Sequence, residues 1–297
     1  MGKEILDYQR ACNLTLDNLK SEQEVLAVLI HGSMLTGDIW EGSDIDMFVV
    51  IDEESNNIKH IYAEENEISI HLKILSKGKF ISICEEGVKG AYIHRILSSS
   101  RLMFSKDRQI TEVYDRVRYF PDLERKKWNI VYLGKLLKDM NECRKYLTND
   151  SIHTAYSMAV MAVRSFSKFY VNLSGYMINR DVVTTTLGLN NTFSEYVEEL
   201  FINNTDKEDC INTILKYMEE YVEVNLKRAT NVLIEFLKEK NVALSSEEIK
   251  CDMFFDGFDI KMEEILGLLT EKAVVKKDIR EFKFNAGTVI KEKVYFI

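Results

Sequence analysis

Two features that could bind a charged ligand lie close together near the N-terminus. Gly32 and Ser33 follow the apolar stretch EVLAVLI almost directly, and Asp44 and Asp46 open a second apolar stretch, DIDMFVVI. Alternate residues of a β-strand lie on the same side, so a strand would project both carboxylates together. Two neighbouring carboxylates repel each other unless a cation lies between them. Because Mg²⁺ is bound mainly through oxygen ligands, the aspartate pair predicts a magnesium site.

The Gly-Ser pair predicts the partner of that metal ion. Backbone N–H groups at the start of a helix bind anions, and a glycine lets a phosphate approach the backbone closely. Together the two features predict a site for a metal-chelated nucleoside triphosphate (NTP). Gly32 and Ser33 would contact the phosphates, and Asp44 and Asp46 would hold the metal.

The elements that would position these residues follow from hydrophobic patterning. In ENEISIHLKILS, for example, apolar and polar residues alternate, which is typical of a strand with one buried face. We predict helices at residues 3–19 and 87–100 and strands at residues 24–30, 44–51, 58–63, 67–75 and 101–105. These elements make an α+β domain over residues 1–120.

The chain after Pro121 has the three- and four-residue apolar spacing of helices almost throughout. We predict helices at residues 122–147, 152–173, 193–203 and 206–240. They would form an α-helical bundle domain over residues 121–242. Residues 243–297 predict a small C-terminal α/β module with a helix and a β-hairpin. That module is either a winged module or an addition packed on the bundle.

The composition narrows the classes of partner and location. The 48 acidic and 39 basic residues give a net charge of −9, which disfavours nucleic acid as a partner. The same balance favours a cationic small molecule or a protein partner. No apolar run reaches the roughly 18 residues that a membrane span requires, so we expect a cytoplasmic protein. The five cysteines are isolated, and their spacing gives no zinc motif.

The spacing of the two N-terminal features resembles a known signature. Gly32-Ser33, ten residues and then Asp44-Ile45-Asp46 are similar to the minimal motif of the DNA polymerase β-like nucleotidyltransferase superfamily. The resemblance covers residues 24–106. The helical region resembles, in its position, the bundles of aminoglycoside and lincosamide nucleotidyltransferases.

This resemblance implies a fold and a reaction. The fold is a mixed sheet flanked by helices. The reaction transfers a nucleoside monophosphate from an NTP, for which we expect ATP, to a hydroxyl group and releases pyrophosphate. It uses two Mg²⁺ ions held by three carboxylates.

The third carboxylate of the superfamily would lie on the strand within ENEISIHLKILS, where the alternation places His71. An imidazole could act as a general base or bind a transition metal, but it is a poor ligand for Mg²⁺. Glu67 is an alternative third position, two pleats earlier, which would require a bulge to reach the aspartates. His71 could equally be a polar residue on a half-exposed strand.

Two basic residues of the helical region are candidate phosphate ligands. Arg164 and Lys168 lie four residues apart in the predicted helix 152–173, which contains no acidic residue. Residues at this spacing share one face of a helix, so the pair could clamp phosphates. They could also be long side chains that extend from a packed helix towards water.

Three functions follow from these residues. We expect an ATP- and Mg²⁺-dependent nucleotidyltransferase that modifies a hydroxyl group of a small polar acceptor, with a cationic acceptor favoured by the net charge. A first alternative is an NTP-binding regulator on the same fold that has lost catalysis. A second is an antitoxin-like nucleotidyltransferase that modifies a partner protein. The sequence leaves the acceptor and the oligomeric state open.

Overall fold

The strands of the N-terminal half form one mixed sheet in the computed structural model, which describes residues 4–85, 90–202, 206–284 and 287–297. The strands are β1 (Val25–His31), β2 (Ile45–Ile51), β3 (Lys59–Glu65), β4 (Ile68–Ser76) and β5 (Arg101–Ser105). Their order in the sheet is β3-β4-β2-β1-β5. β2 and β4 run parallel, and the other neighbouring strands are antiparallel. The predicted mixed sheet is confirmed.

Helices cover both faces of this sheet. They are α1 (Ile5–Ser21), α2 (Ser33–Thr36), α3 (Lys77–Glu85), α4 (Tyr92–Ser99) and α5 (Arg108–Val117). On one face, residues of α1 such as Tyr8 pack with Ile45 and Met47 of β2. On the other face, residues of α3, α4 and α5 pack with Phe48 and Val50 of the same strand. The period of two along β2 therefore separates two apolar cores, as the sequence predicts.

Several boundaries differ from the prediction. α3 and α5 were not predicted, and the predicted helix 87–100 is shorter, since α4 spans Tyr92–Ser99 while residues 87–89 lie outside the described part of the chain. β4 begins at Ile68 and not at Glu67, because Asn66 and Glu67 have positive φ angles of 50° and 62°. These angles make a turn and not a strand.

The second half of the chain is mainly helical, as predicted. Its helices are α6 (Asp122–Thr148), α7 (Ile152–Leu173), α8 (Val182–Leu189), α9 (Asn191–Phe201) and α10 (Lys207–Lys240). They are followed by α11 (Ser246–Lys250), a 3₁₀ turn (Met253–Phe255), α12 (Met262–Glu271) and a hairpin of β6 (Lys276–Lys283) and β7 (Val289–Phe296). Residue 203 of the predicted helix 193–203 and residues 285–286 of the predicted hairpin lie outside the described residues.

The C-terminal helix α12 packs on α6 at a glycine. A Cβ atom added to Gly134 would lie 3.1 Å from Cδ1 of Ile265 and 3.1 Å from the carbonyl oxygen of Lys261. A larger residue would push the two segments apart, so Gly134 allows this close approach. The C-terminal segment is therefore packed directly on the bundle, which is one of the two arrangements that the sequence left open.

The described chain divides into two compact units, Met1–Pro121 and Asp122–Ile297. The C-terminal segment, residues 243–297, falls within the second unit, and its status as a separate domain stays a prediction. Among the helices that the structure describes, none combines the length and the apolar character needed to cross a lipid bilayer.

Candidate active site

Gly32 connects β1 to α2 and brings its backbone against Asp46. Its φ of 82° and ψ of −153° lie in a region that is open almost only to glycine. A Cβ atom at this position would lie 3.0 Å from Oδ2 of Asp46, which is tighter than an ordinary contact. Gly32 therefore supplies both the backbone conformation and the space, and α2 starts at Ser33 directly beside the carboxylate.

The parallel pairing of β2 and β4 places His71 next to the aspartates. Asp46 and His71 are register partners, and Nδ1 of His71 lies 3.1 Å from Oδ1 of Asp46. Asp44 precedes β2 by one residue and lies in the same group. One carboxylate oxygen of Asp44, one of Asp46 and one ring nitrogen of His71 all lie within 4.8 Å of one another. The predicted pair and the predicted third position thus meet at one point.

Lys73 adds a cationic group that the sequence analysis did not identify. Its Nζ lies 3.4 Å from Oδ1 of Asp46 and 3.2 Å from Nε2 of His31, the residue that ends β1. His31 is also the register partner of Asp46 on the other side of β2. Nζ of Lys73 further lies 5.4 Å from the ring centroid of Phe48. Asp46 is therefore flanked on both neighbouring strands by side chains that carry nitrogen.

The edge strand β3 supplies two more residues to the group. Nδ1 of His60 lies 2.9 Å from Nε2 of His71. The ring of Tyr62 stacks on that of His71 with centroids 4.4 Å apart and an angle of 9° between the planes. The imidazole of His71 is thus fixed on three sides, by Asp46, His60 and Tyr62.

These contacts determine where the proton of His71 lies when Asp46 is ionised. An ionised carboxylate only accepts hydrogen bonds, so Nδ1 of His71 carries the proton and donates to Asp46. In the neutral imidazole Nε2 then accepts, and it receives the Nδ1–H of His60. A carboxylate that orients an imidazole in this way is the arrangement that prepares a histidine for general-base chemistry.

The group lies at the end of the sheet face that also carries the core with α3, α4 and α5. Asp46 precedes Phe48 and Val50 at two-residue steps, and those two side chains belong to that core. The side chains of Asp46, Lys73 and His71 expose 18%, 16% and 12% of their surface. A ligand can therefore reach the group, yet the surrounding protein limits screening by water.

Glu67, the predicted alternative third position, is exposed and lies in the turn between β3 and β4. A residue in a turn does not follow the two-residue alternation of the strand, so its position is not fixed by the face of His71. The geometry therefore favours His71 over Glu67 as the third member of the group.

Arg164 and Lys168 belong to the second unit, on α7. Arg164 is exposed, and Lys168 is half-buried at a cavity of about 290 Å³. That cavity is also lined by residues of α6 and of the segment before α12, including Lys135 and Lys261. The role of Arg164 and Lys168 as phosphate ligands stays a prediction.

One signal in the sequence could have identified Lys73. It lies two residues after His71 in a strand that was predicted to alternate, so it shares the face of His71. His31 and His60 had no comparable signal, because their approach depends on which strands pair and in which register. Pairing of distant strands is not encoded in local patterning.

The family comparison agrees with this geometry. A model of the polymerase β nucleotidyltransferase domain matches residues 15–109, which include all of the group described above. The N-terminal unit contains a polymerase β-like nucleotidyltransferase domain. No curated protein sequence matches the chain.

A solved structure extends the likeness of this nucleotidyltransferase fold to the whole chain. The crystal structure of a nucleotidyltransferase-like protein from Exiguobacterium sibiricum 255-15 matches with a TM-score of 0.66. The match covers 97% of this chain and 99% of that protein, at 13% sequence identity. At this identity the likeness shows the fold alone.

The side chains of the nucleotidyltransferase domain fit a divalent metal ion. Asp44 and Asp46 offer the oxygen atoms that Mg²⁺ prefers. His71 offers a nitrogen atom, which suits a transition metal such as Zn²⁺ better than Mg²⁺. The two carboxylates are therefore the residues that would hold the ion.

Proposed function

We propose that the protein transfers a nucleoside monophosphate from an NTP, most directly ATP, to a hydroxyl group of a small polar acceptor, with Mg²⁺ as the metal. The observation that carries this proposal is the meeting of Asp44, Asp46 and His71 beside the Gly32 turn, where an added Cβ atom would lie 3.0 Å from Oδ2 of Asp46. This arrangement lies within the residues that match the nucleotidyltransferase family.

Asp44 and Asp46 would hold the metal ion, and the start of α2 would bind the phosphates. The first N–H groups of a helix lack partners within that helix and point towards its N-terminal end. At Ser33 these groups lie beside the carboxylates, so phosphate and metal would bind as neighbours. A bound divalent ion neutralises charge on the phosphates and on the transferring group.

His71 would act as the general base in place of a carboxylate. Asp46 holds its Nδ1–H, so Nε2 is the atom that would take the proton of the acceptor hydroxyl. His60 occupies that atom here by donating its Nδ1–H, and an acceptor hydroxyl would displace it. The acidic balance of the chain, −9, supports a cationic acceptor.

A second candidate function is NTP binding without transfer. Lys73 is the observation that favours it, because its ammonium group contacts the same aspartate that would hold the metal. In this case the domain would bind a nucleotide and serve as a regulator. The two candidates differ in turnover and not in nucleotide binding.

Transfer of label from α-³²P-labelled NTPs to a panel of hydroxyl acceptors tests the proposal. We expect labelled product and pyrophosphate from the wild-type protein, and a loss of about 100-fold or more when Asp44 and Asp46 are both changed to Asn. Asp52→Asn is the matched control, because Asp52 is exposed just beyond the other end of β2.

The outcome also separates the two candidates. If neither the wild type nor the double variant transfers label with any NTP and acceptor, nucleotidyl transfer is rejected as the function. A rise in melting temperature with Mg-ATP that the double variant lacks would then support NTP binding without transfer.

A further inference from the structure

The two oxygens of Asp46 have different surroundings. Oδ1 contacts both Nδ1 of His71, at 3.1 Å, and Nζ of Lys73, at 3.4 Å. Oδ2 faces the turn at Gly32, where an added Cβ atom would lie 3.0 Å away. One oxygen is therefore committed to two nitrogen groups of β4, and the other is directed to the start of α2.

The position of Lys73 is fixed by the sheet. Lys73 is the register partner of Phe48, and its ammonium group lies 5.4 Å from the centroid of that ring. Residues two apart on a strand share a side, so Lys73 and His71 reach the same carboxylate from neighbouring positions of β4. With 16% of its side chain exposed, Lys73 is held more firmly than a lysine on an open surface.

This arrangement bears on the number of metal ions. A carboxylate that bridges two ions gives one oxygen to each of them. In Asp46 the Oδ1 atom already has an ammonium group as a neighbour, and a divalent ion at the same oxygen would be repelled by it. Oδ2 and the carboxylate of Asp44 are left for one ion.

We propose that Lys73 is a built-in cation at Asp46, so that this site binds a single divalent ion where the reaction of the superfamily uses two. The inference deepens the proposed function and rests on it, because it assumes that the aspartates hold a metal. Lys73 takes the place of the second ion next to Oδ1, and His71 holds the same oxygen from the other side.

The number of Mn²⁺ ions bound per chain, counted by electron paramagnetic resonance of free Mn²⁺, tests this inference. We expect one ion in the wild-type protein and two in Lys73→Met. Lys73→Arg keeps the charge and should keep the count at one. Lys59→Met is the matched control, because it removes the same charge from an exposed position on the neighbouring strand β3, and it should also bind one.

Two ions on the wild type, the same count in Lys73→Met as in the wild type, or no bound ion in either protein would overturn the inference. Melting temperatures of the four proteins show that each is folded. The metal count does not depend on turnover, so the two proposals can fail separately. Absence of transfer with the expected counts would reject the proposed function alone, and transfer with unchanged counts would reject the inference alone.

Discussion

Two aspartate–lysine pairs, one in each unit, are built differently: Asp46 with Lys73, the open pair, and Asp139 with Lys135, the closed pair. In the second unit Asp139 of α6 is fully buried, and each oxygen has one short partner. Nζ of Lys135 lies 2.6 Å from Oδ1, and the hydroxyl of Ser165 donates to Oδ2 at 2.6 Å. The side chain of Asp46, in β2, is 18% exposed. Nζ of Lys73 lies 3.4 Å from its Oδ1, which is a longer distance than that between Lys135 and Asp139.

The difference separates a structural carboxylate from one that can bind a ligand. Both carboxylate oxygens of Asp139 have hydrogen-bond partners inside the protein. This residue therefore joins α6 to α7 and has no oxygen left for a ligand. Asp46 has two partners on one oxygen, and its other oxygen faces a glycine turn. The candidate site is therefore distinguished by the partial exposure of its carboxylate and by the way its hydrogen-bond partners are shared between the two oxygens. The residue types are the same in both pairs.

The largest expected effect is on stability at the closed pair. Lys135→Met leaves the buried Asp139 without its charged partner. We expect the free energy of unfolding to fall by about 3 kcal/mol, the low end for a broken buried pair, because the Lys135 side chain is itself 44% exposed. Lys73→Met leaves an aspartate that water can reach, so its cost should stay below about 1 kcal/mol. Urea denaturation at neutral pH measures both.

Lys138→Met is the control for this comparison, because Lys138 pairs with Glu142 on the exposed surface of the same helix. It should change stability by less than about 0.5 kcal/mol. Equal losses of unfolding free energy in Lys135→Met and Lys73→Met would show that the two pairs stabilise the protein equally, against the distinction between a structural and an accessible carboxylate.

The next effect is on nucleotidyl transfer, through His71, which contacts the aspartate of the open pair. His71→Ala removes the imidazole that Asp46 orients, and we expect nucleotidyl transfer to fall by about 10²-fold while the melting temperature changes little. Ser165→Ala removes the corresponding partner of Asp139 and should do the reverse. It should lower stability by about 1 kcal/mol and leave transfer unchanged. Initial rates and thermal melts of both variants give the answer.

His71→Asp sharpens this prediction, since it restores a third carboxylate at the position next to Asp46. It should retain or raise the transfer rate with Mg²⁺, in contrast to His71→Ala. Equal loss in both variants would mean that His71 does not occupy the position of the third carboxylate.

Sequence patterning predicted the parts of the site that depend on local structure. The Gly32 turn and the pair Asp44 and Asp46 are each encoded by a few neighbouring residues, and His71 followed from the alternation of its strand. His31 and His60 were missed, because they reach the site only through strand pairing between distant segments.

The fold shows the same limit. The α+β class was predicted correctly because strands and long helices have distinct apolar periods. α5 was missed although Asp107 caps it and Ile110 and Val113 lie three residues apart, since ten residues give a short periodic signal. The order of the strands in the sheet could not be derived from any one segment.

A smaller effect is expected from the backbone beside Asp46. Gly32→Ala places a methyl group 3.0 Å from Oδ2 of Asp46 in a backbone region that disfavours alanine, at a cost of about 2 kcal/mol. We also expect weaker Mn²⁺ binding, because the carboxylate must move. Denaturation and Mn²⁺ titration measure the two consequences.

Gly37→Ala is a matched control with the same φ of 82° at the other end of α2. A Cβ atom there meets nothing within 4 Å, so the variant should lose about 1 kcal/mol of stability and keep its Mn²⁺ affinity. Equal Mn²⁺ affinities in the two alanine variants would contradict the proposal that Asp46, beside this turn, holds the metal ion.

The smallest expected effect concerns another aspartate–lysine pair, Asp107 and Lys77, in which the aspartate is partly exposed like Asp46 but has a partner on each oxygen like Asp139. Nζ of Lys77 lies 2.5 Å from Oδ2 of Asp107, and Oδ1 accepts the N–H of Ile110 at the start of α5. The hydrogen bond from Lys77 lowers the pKa of the Asp107 carboxyl below its usual 3.8. Both partners are partly exposed, at 31% and 20%, so water screens the pair.

A carboxyl whose pKa is lower in the folded state stabilises the protein above its unfolded pKa and loses that contribution as the pH falls through the folded value. Lys77→Met should therefore lower the urea midpoint slightly at about pH 6, and the difference from the wild type should vanish near pH 2. Urea titrations of the two proteins across this range measure it. A difference between the two urea midpoints that stays constant with pH would mean that Lys77 stabilises α5 by packing alone, and not through the charge of Asp107.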